Sequence, residues 1–353
     1  MRVLRLHGPR DLRMHDEPFP QPRPGEVRLK IASVGICASD LHYYRDGRIG
    51  STVVTEPLVL GHEASGVVDA LGEGVTGLAV GDRVAIEPTK PCGKCEYCRE
   101  RRFNVCPNVE FFGTPPIDGC LRDYLCWPAE LAFKIPDSIS LDEAAMVEPL
   151  AVGVYAVRLA FPGWAGTSCP RPSGTVAVLG AGAIGLSVLQ AARIAGVERV
   201  IVSEPIAERR ELAKKLGASE VIDTSTADAI TEFARLTGGR GADVVIECTG
   251  EDDATLEASR IVRILGRIVV VGIPDRDVYT FEASPSRRKE LTVIFCRRSN
   301  LAAETAIGWI AEGKLDAACM ATHRFPLEQA EEAMNFAIAK SDGVVRAVVS
   351  VNS

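Results

Sequence analysis

Cys92, Cys95, Cys98 and Cys106 form a C-x₂-C-x₂-C-x₇-C run. Four thiolates this close in sequence can close a tetrahedron around one Zn²⁺ and leave no position open, which is a structural metal site. An iron–sulfur cluster is the chemical rival, because it also takes four thiolates. Cys37 and Gly61-His62-Glu63 lie upstream of the run, and Gly180-Ala181-Gly182-Ala183-Ile184-Gly185 lies downstream. A closed metal site, a second set of metal-ligating residue types and a glycine turn together outline metal-assisted redox chemistry.

The glycine turn needs its context to carry weight. Thr175–Leu179 reads as an apolar strand, and residues 183–195 read as a helix that opens on the turn. Glu204 stands at the end of the next strand, Val200–Val202. Gly180 allows a tight turn, Gly182 lets the backbone approach a pyrophosphate, and Gly185 lets helix and strand pack closely. The helix start supplies free N–H groups and a positive dipole end. A carboxylate at Glu204 accepts from ribose hydroxyls and repels a 2′-phosphate, which favours NAD over NADP. Arg209 and Arg210 read two ways, as phosphate ligands or as a solvated helix face.

The elements that must position these groups fall into two textures. Residues 1–150 carry short, alternating strands beside glycines, such as Val27–Ile31, Gly66–Ala70 and Asp82–Ile86, which predicts a small β barrel. Strands then alternate with helices over residues 151–290, which predicts a parallel sheet covered on both faces. Residues 291–353 leave that pattern and are expected to return to the first domain. The stretch from Pro162 to Gly174 reads as a linker or surface loop.

Bulk properties agree with an α/β enzyme of two domains. The chain has 353 residues, more than one ordinary core holds. Its net charge is −7 with scattered Lys and Arg, which argues against nucleic-acid and anionic-membrane partners. No long apolar run predicts a membrane span. Eleven cysteines with no recognisable export segment favour reduced thiols, and so a cytoplasmic protein.

The combination resembles the zinc-dependent medium-chain alcohol dehydrogenases, within them the sorbitol/xylitol (polyol) branch. The resemblance rests on Gly35–Tyr44, Asp46–Gly50, Gly61-His62-Glu63, Gly81–Val84, the four-cysteine loop, Thr114-Pro115-Pro116, Glu148-Pro149-Leu150 and Thr322–Leu327. It implies a GroES-like β-barrel catalytic domain plus a Rossmann domain with a doubly wound parallel sheet. It implies a catalytic zinc on Cys37, His62 and Glu63, with Glu148 as a nearby or exchanging carboxylate. One thiolate, one imidazole and one carboxylate neutralise Zn²⁺ and leave a fourth position for water or substrate. Asp40 is placed to fix the ring of His62.

By the same resemblance Ser39 and His42 form a proton relay. Tyr43, Phe111, Thr114, Arg297 and Arg298 fall at substrate positions. Gly180, Gly182, Ile184, Gly185, Glu204, Arg209, Cys248, Val271 and Ile273 fall at cofactor positions. Two zinc ions per chain, NAD, a small polyol substrate and a homo-oligomer, tetramer or dimer, complete the expectation. The chain departs from the branch after the nucleotide domain. The branch has Phe-Arg-Tyr there, and this chain has Arg298 in place of the tyrosine, following Phe295-Cys296-Arg297. Other secondary-alcohol dehydrogenases, of butanediol or threonine type, share the zinc motifs. A non-catalytic nucleotide-binding protein of the same fold is the alternative from a different class.

Overall fold

A computed structural model describes residues 1–163 and 174–352, so most of the predicted linker lies outside the described residues. The chain divides into two compact units, Met1–Glu148 with Ala303–Ser353, and Pro149–Ala302.

The first unit is built around the strand Glu26–Gly35, whose inward-facing Val27, Leu29, Ile31 and Val34 are fully buried. It pairs antiparallel with Glu63–Leu71 on one side and with the C-terminal strand Arg346–Ser350 on the other. The sheet continues through Arg83–Ile86 to Ala132–Lys134 at one end and through Ala321–Pro326 at the other. Burial of the apolar side of these strands builds one core cluster, closed by Leu327, Ala333 and Met334 from the last helical segment. This mainly antiparallel sheet is the GroES-like part of the fold.

The second unit carries six strands in the order Glu220–Ile222, Arg199–Ser203, Thr175–Leu179, Ala242–Glu247, Val262–Val270, Thr292–Phe295, and every pairing is parallel. This is the doubly wound Rossmann arrangement. The chain reverses its direction of strand addition between Thr175–Leu179 and Ala242–Glu247, which opens a crevice beyond their C-terminal ends. The sheet is longer than the sequence indicated. Thr292–Phe295 was expected to lie beyond this domain, but it pairs in register with Arg267–Val270 and keeps the chain in the second unit until Ala302. Its short, half-exposed pattern resembles a surface strand when read alone, because an edge strand buries only one face. Among the described residues no helix is long and apolar enough to cross a membrane.

Candidate active site

Strand pairing assembles the first group. Gly35 lies opposite Glu63 in the antiparallel ladder. Cys37, two residues past Gly35, therefore meets His62 and Glu63 at the mouth of the neighbouring strand. The donor atoms of Cys37, His62 and Glu63 all lie within 4.8 Å of one another. Gly35 is needed for this approach, because a Cβ there would collide with Glu63 Oε2.

Asp40 locks the group from behind. It sits in the first turn of the helix Ala38–Asp46, which Cys37 caps. Its fully buried carboxylate accepts from Cys37 N (2.9 Å) and from Gly61 N (3.0 Å). Its Oδ1 also stands 3.5 Å from His62 Nδ1. Ser39 Oγ lies 3.5 Å from His62 Nε2. Burial pulls the pKa of His62 down, but Asp40 and Cys37 together outweigh it and push the ring well above its ordinary value. The anionic surroundings thus call for a positive charge at the ring.

Glu63 is fully buried, and burial raises its pKa against the opposing pull of Arg346 and His62. Arg346 reaches Glu63 Oε1 at 2.8 Å and donates to Ile36 O at 3.0 Å. The sequence reading missed this arginine. Nothing local marks it, since it arrives from the C-terminal strand through pairing with Glu26–Gly35. Glu148 carries a carboxyl that desolvation pushes up to about 8, with His62 opposing and Glu63 and Glu87 adding to the rise.

The residues present fit a metal ion. Arg346 answers only Oε1 of Glu63, and Oε2 is buried without a hydrogen-bond partner, a costly state unless a cation sits beside it. A soft thiolate, an imidazole and a carboxylate are the donor set of an open zinc site.

The four cysteines also converge. Cys95–Cys98, Cys95–Cys106 and Cys92–Cys98 sulfur pairs stand 3.4, 3.8 and 3.9 Å apart. A tetrahedral Zn²⁺ with bonds of about 2.3 Å requires sulfurs about 3.8 Å apart. An iron–sulfur cluster spreads its thiolates over different irons and holds them farther apart, so the spacing fits a single ion. The N–H groups of Lys94 and Cys95 draw the Cys92 thiol down to about 6, while burial pushes Cys98 up to about 12.

The other expected positions are distributed as follows. His42 is half-buried, with Nδ1 3.9 Å from Asp46. The Phe111 ring packs on His62 at 5.3 Å. Thr114 lies in the same loop and forms an isolated bridge with Ile117. Tyr43 is 2% exposed and belongs to the first unit's apolar core. In the second unit Arg297 is exposed and Arg298 is half-buried, with positive φ.

The nucleotide positions gather at the crevice end of the parallel sheet. A Cβ on Gly185 would overlap Gly180 O, so helix and turn pack as closely as backbone permits. Around Gly182, by contrast, the nearest atom to an added Cβ would be Arg209 Nη1 at 3.8 Å. Ile184 lies in the first turn of the helix Ala183–Ile194. Glu204 accepts from Ala181 N (2.7 Å) and Ile206 N (3.0 Å), which ties the acid to the turn itself. Arg210 donates to Glu204 O and Pro205 O and pairs with Asp223, so it is committed to its own strand end. Arg209 is the arginine that reaches the turn. Cys248 N bonds Leu179 O and lies beside Gly180, and Val271 N bonds Glu247 O at the end of the neighbouring strand. Ile273 packs on Gly250 and is 46% exposed.

Comparison with known proteins agrees with both units. Residues 23–137 match the alcohol dehydrogenase GroES-like domain family, and residues 183–312 match the zinc-binding dehydrogenase family. The chain is 36% identical to sorbitol dehydrogenase of Bacillus subtilis (strain 168), over 100% of this chain and 98% of the relative. Among solved structures it superposes on an Escherichia coli oxidoreductase/dehydrogenase of unknown specificity with a TM-score of 0.91 at 31% identity, covering 100% and 99% of the two chains. A short chain alcohol dehydrogenase of Escherichia coli CFT073, solved with NADH, superposes at 0.89 and 30% identity, covering 99% of each. The chain belongs to the zinc-dependent medium-chain alcohol dehydrogenases, in their sorbitol (polyol) dehydrogenase branch, and is an oxidoreductase.

Proposed function

We propose that this protein oxidises a secondary hydroxyl of a five- or six-carbon polyol to a ketose and passes the hydride to NAD. The convergence of Cys37, His62 and Glu63 within 4.8 Å, with Ser39 beside the histidine, carries the reading. Zn²⁺ on these ligands supplies a Lewis acid for the substrate hydroxyl, and NAD supplies the hydride acceptor. Ser39 Oγ takes the hydroxyl proton, and His42 passes it toward solvent. Asp40 holds His62 in one orientation, and Arg346 holds Glu63. Phe111, whose ring packs on His62, and Thr114 in the same loop line the substrate side of His62, and Arg297 and Arg298 are substrate candidates by the resemblance alone. The similarity to Bacillus subtilis sorbitol dehydrogenase supports the substrate class.

Glu204 on the glycine turn supports NAD as the partner. Removing the acid in Glu204→Ser is expected to narrow the NAD-over-NADP preference by about tenfold, or about 1.4 kcal/mol of lost repulsion. A parent enzyme that prefers NADP would show that Glu204 does not face the ribose. Exposed Phe295 and Leu301 beside the edge strand Thr292–Phe295 support a homo-oligomer, because an uncovered apolar edge is a pairing surface. The ten described cysteines are all free, which supports a reducing, cytoplasmic setting.

The experiment is a substrate panel read by the absorbance of reduced nicotinamide. Sorbitol and xylitol are expected to give higher kcat/KM than 2,3-butanediol or ethanol, since each missing hydroxyl leaves a site group unpaired at about 1–3 kcal/mol. A preference for butanediol returns the protein to the simple secondary-alcohol enzymes. No reduction with any alcohol would leave a nucleotide-binding protein of this fold.

A further inference from the structure

Away from both cysteine groups, the N-terminal hairpin brings two histidines together. The strands Arg2–Gly8 and Asp11–Asp16 pair antiparallel, with His15 opposite Val3. His7 lies at a break in the register between Leu6 and Gly8. Such a bulge re-aims a side chain along the ribbon. Here it turns His7 back toward His15, and the two Nε2 atoms meet at 2.8 Å. The rings are 25° from parallel with centroids 5.0 Å apart, so they tip together at their Nε2 edges. Both rings are half-buried and neither serves the proposed reaction.

We propose that His7 and His15 form a peripheral chelate site for a late first-row divalent cation with square or tetragonal preference, Cu²⁺ or Ni²⁺. Imidazole nitrogens bind such ions at about 2.0–2.1 Å, which spans about 2.8–3.0 Å at a right angle but about 3.3–3.4 Å at a tetrahedral one. The observed spacing matches two neighbouring corners of a square. With the proton of each ring on Nδ1, both Nε2 lone pairs are open to the ion, so two neutral imidazoles can bind it without losing a proton. The charges nearby are balanced. Arg5 engages Glu17 and Asp118, and Arg13 engages Asp11. The ion would staple the first strand to the second.

The test supplies Cu²⁺ as its iminodiacetate chelate, which leaves two neighbouring equatorial positions open, to the zinc-loaded protein. One equivalent is expected to bind, with an electron paramagnetic resonance spectrum showing two added nitrogens, an increase in Tm, and zinc content unchanged. His7→Gln and His15→Gln should each weaken binding by at least about 100-fold, the upper end of the loss from even an outer ligand partner. Each should also abolish the Tm increase, while polyol oxidation without copper stays at the parent level. Circular dichroism verifies that each variant folds, and either folded variant suffices. Binding as tight in a folded variant as in the parent, or copper uptake matched by zinc release, overturns the site and identifies the contact as a simple histidine–histidine hydrogen bond. Neither result bears on the polyol reading, which the substrate panel tests separately.

Discussion

The two cysteine-bearing groups of the first unit are built by opposite means. The four-cysteine group is local. All its ligands come from residues 92–106, a segment with only the short α-helix Glu96–Arg99 and the 3-10 turn Phe103–Val105, and with little apolar material of its own. Cys92 and Cys95 are half-buried while Cys98 and Cys106 are buried, so the thiols themselves are the lobe's core. The Cys37–His62–Glu63 group is instead drawn from two paired strands, and its supports, Asp40 and Arg346, are deeply buried. The sheet fixes that geometry whether or not an ion is bound. One site is therefore expected to depend on its metal to fold, and the other to be held ready by a fold that does not need the metal.

That contrast predicts opposite phenotypes, and Cys37→Ser should give the largest effect. The change weakens one ligand without altering strand pairing. Loss of several kcal/mol of Lewis-acid stabilisation corresponds to a fall in kcat/KM of about 10³-fold. Tm and NADH binding, the latter read by fluorescence, should stay at parent values. Near-normal turnover would remove Cys37 from the reaction, and a lowered Tm would show that this site too is held together by its metal.

Asp40→Asn sharpens the same point one layer out. The carboxylate accepts from the backbone on both sides of the metal group, so it fixes Cys37 and His62 together. An amide keeps the volume but turns one acceptor into a donor. Zinc affinity and kcat/KM are both expected to fall by about 10–100-fold, less than for the ligand itself. If zinc affinity is unchanged, His62 is oriented by something other than Asp40.

How much of this was legible in the sequence follows from the same division. The four-cysteine spacing and the glycine turn are contiguous, so residue types alone reveal their chemistry. Cys37, His62 and Glu63 were legible through family resemblance, because the ladder that joins them is not written in their own spacing. Arg346 and Gly35 were not legible at all. The arginine's role depends on the C-terminal strand landing beside Glu26–Gly35, and the glycine's on which side chain approaches it. The strand Thr292–Phe295 was misplaced for a related reason, since its parallel partner, not its composition, makes it part of the sheet. The His7–His15 contact depends on a one-residue register break that no periodicity announces.

The smallest effect on chemistry, and the sharpest on folding, is expected from Cys95→Ser. Cys95 lies within sulfur contact distance of both Cys98 and Cys106, so it is central to the lobe. Its loss should reduce bound zinc from two ions per chain to one and lower Tm by several degrees, as removal of about 1–2 kcal/mol does in a domain of this size. Catalysis should change only a few-fold, and only through one route. The lobe is bounded by the strands Thr89–Lys90 and Glu110–Phe111, which pair with each other, and Phe111 packs its ring on His62. A loosened lobe can therefore raise KM for the polyol while kcat holds. A drop in kcat as large as that of Cys37→Ser would erase the distinction between the two sites. An unchanged Tm would show that residues 92–106 are held by something other than their metal.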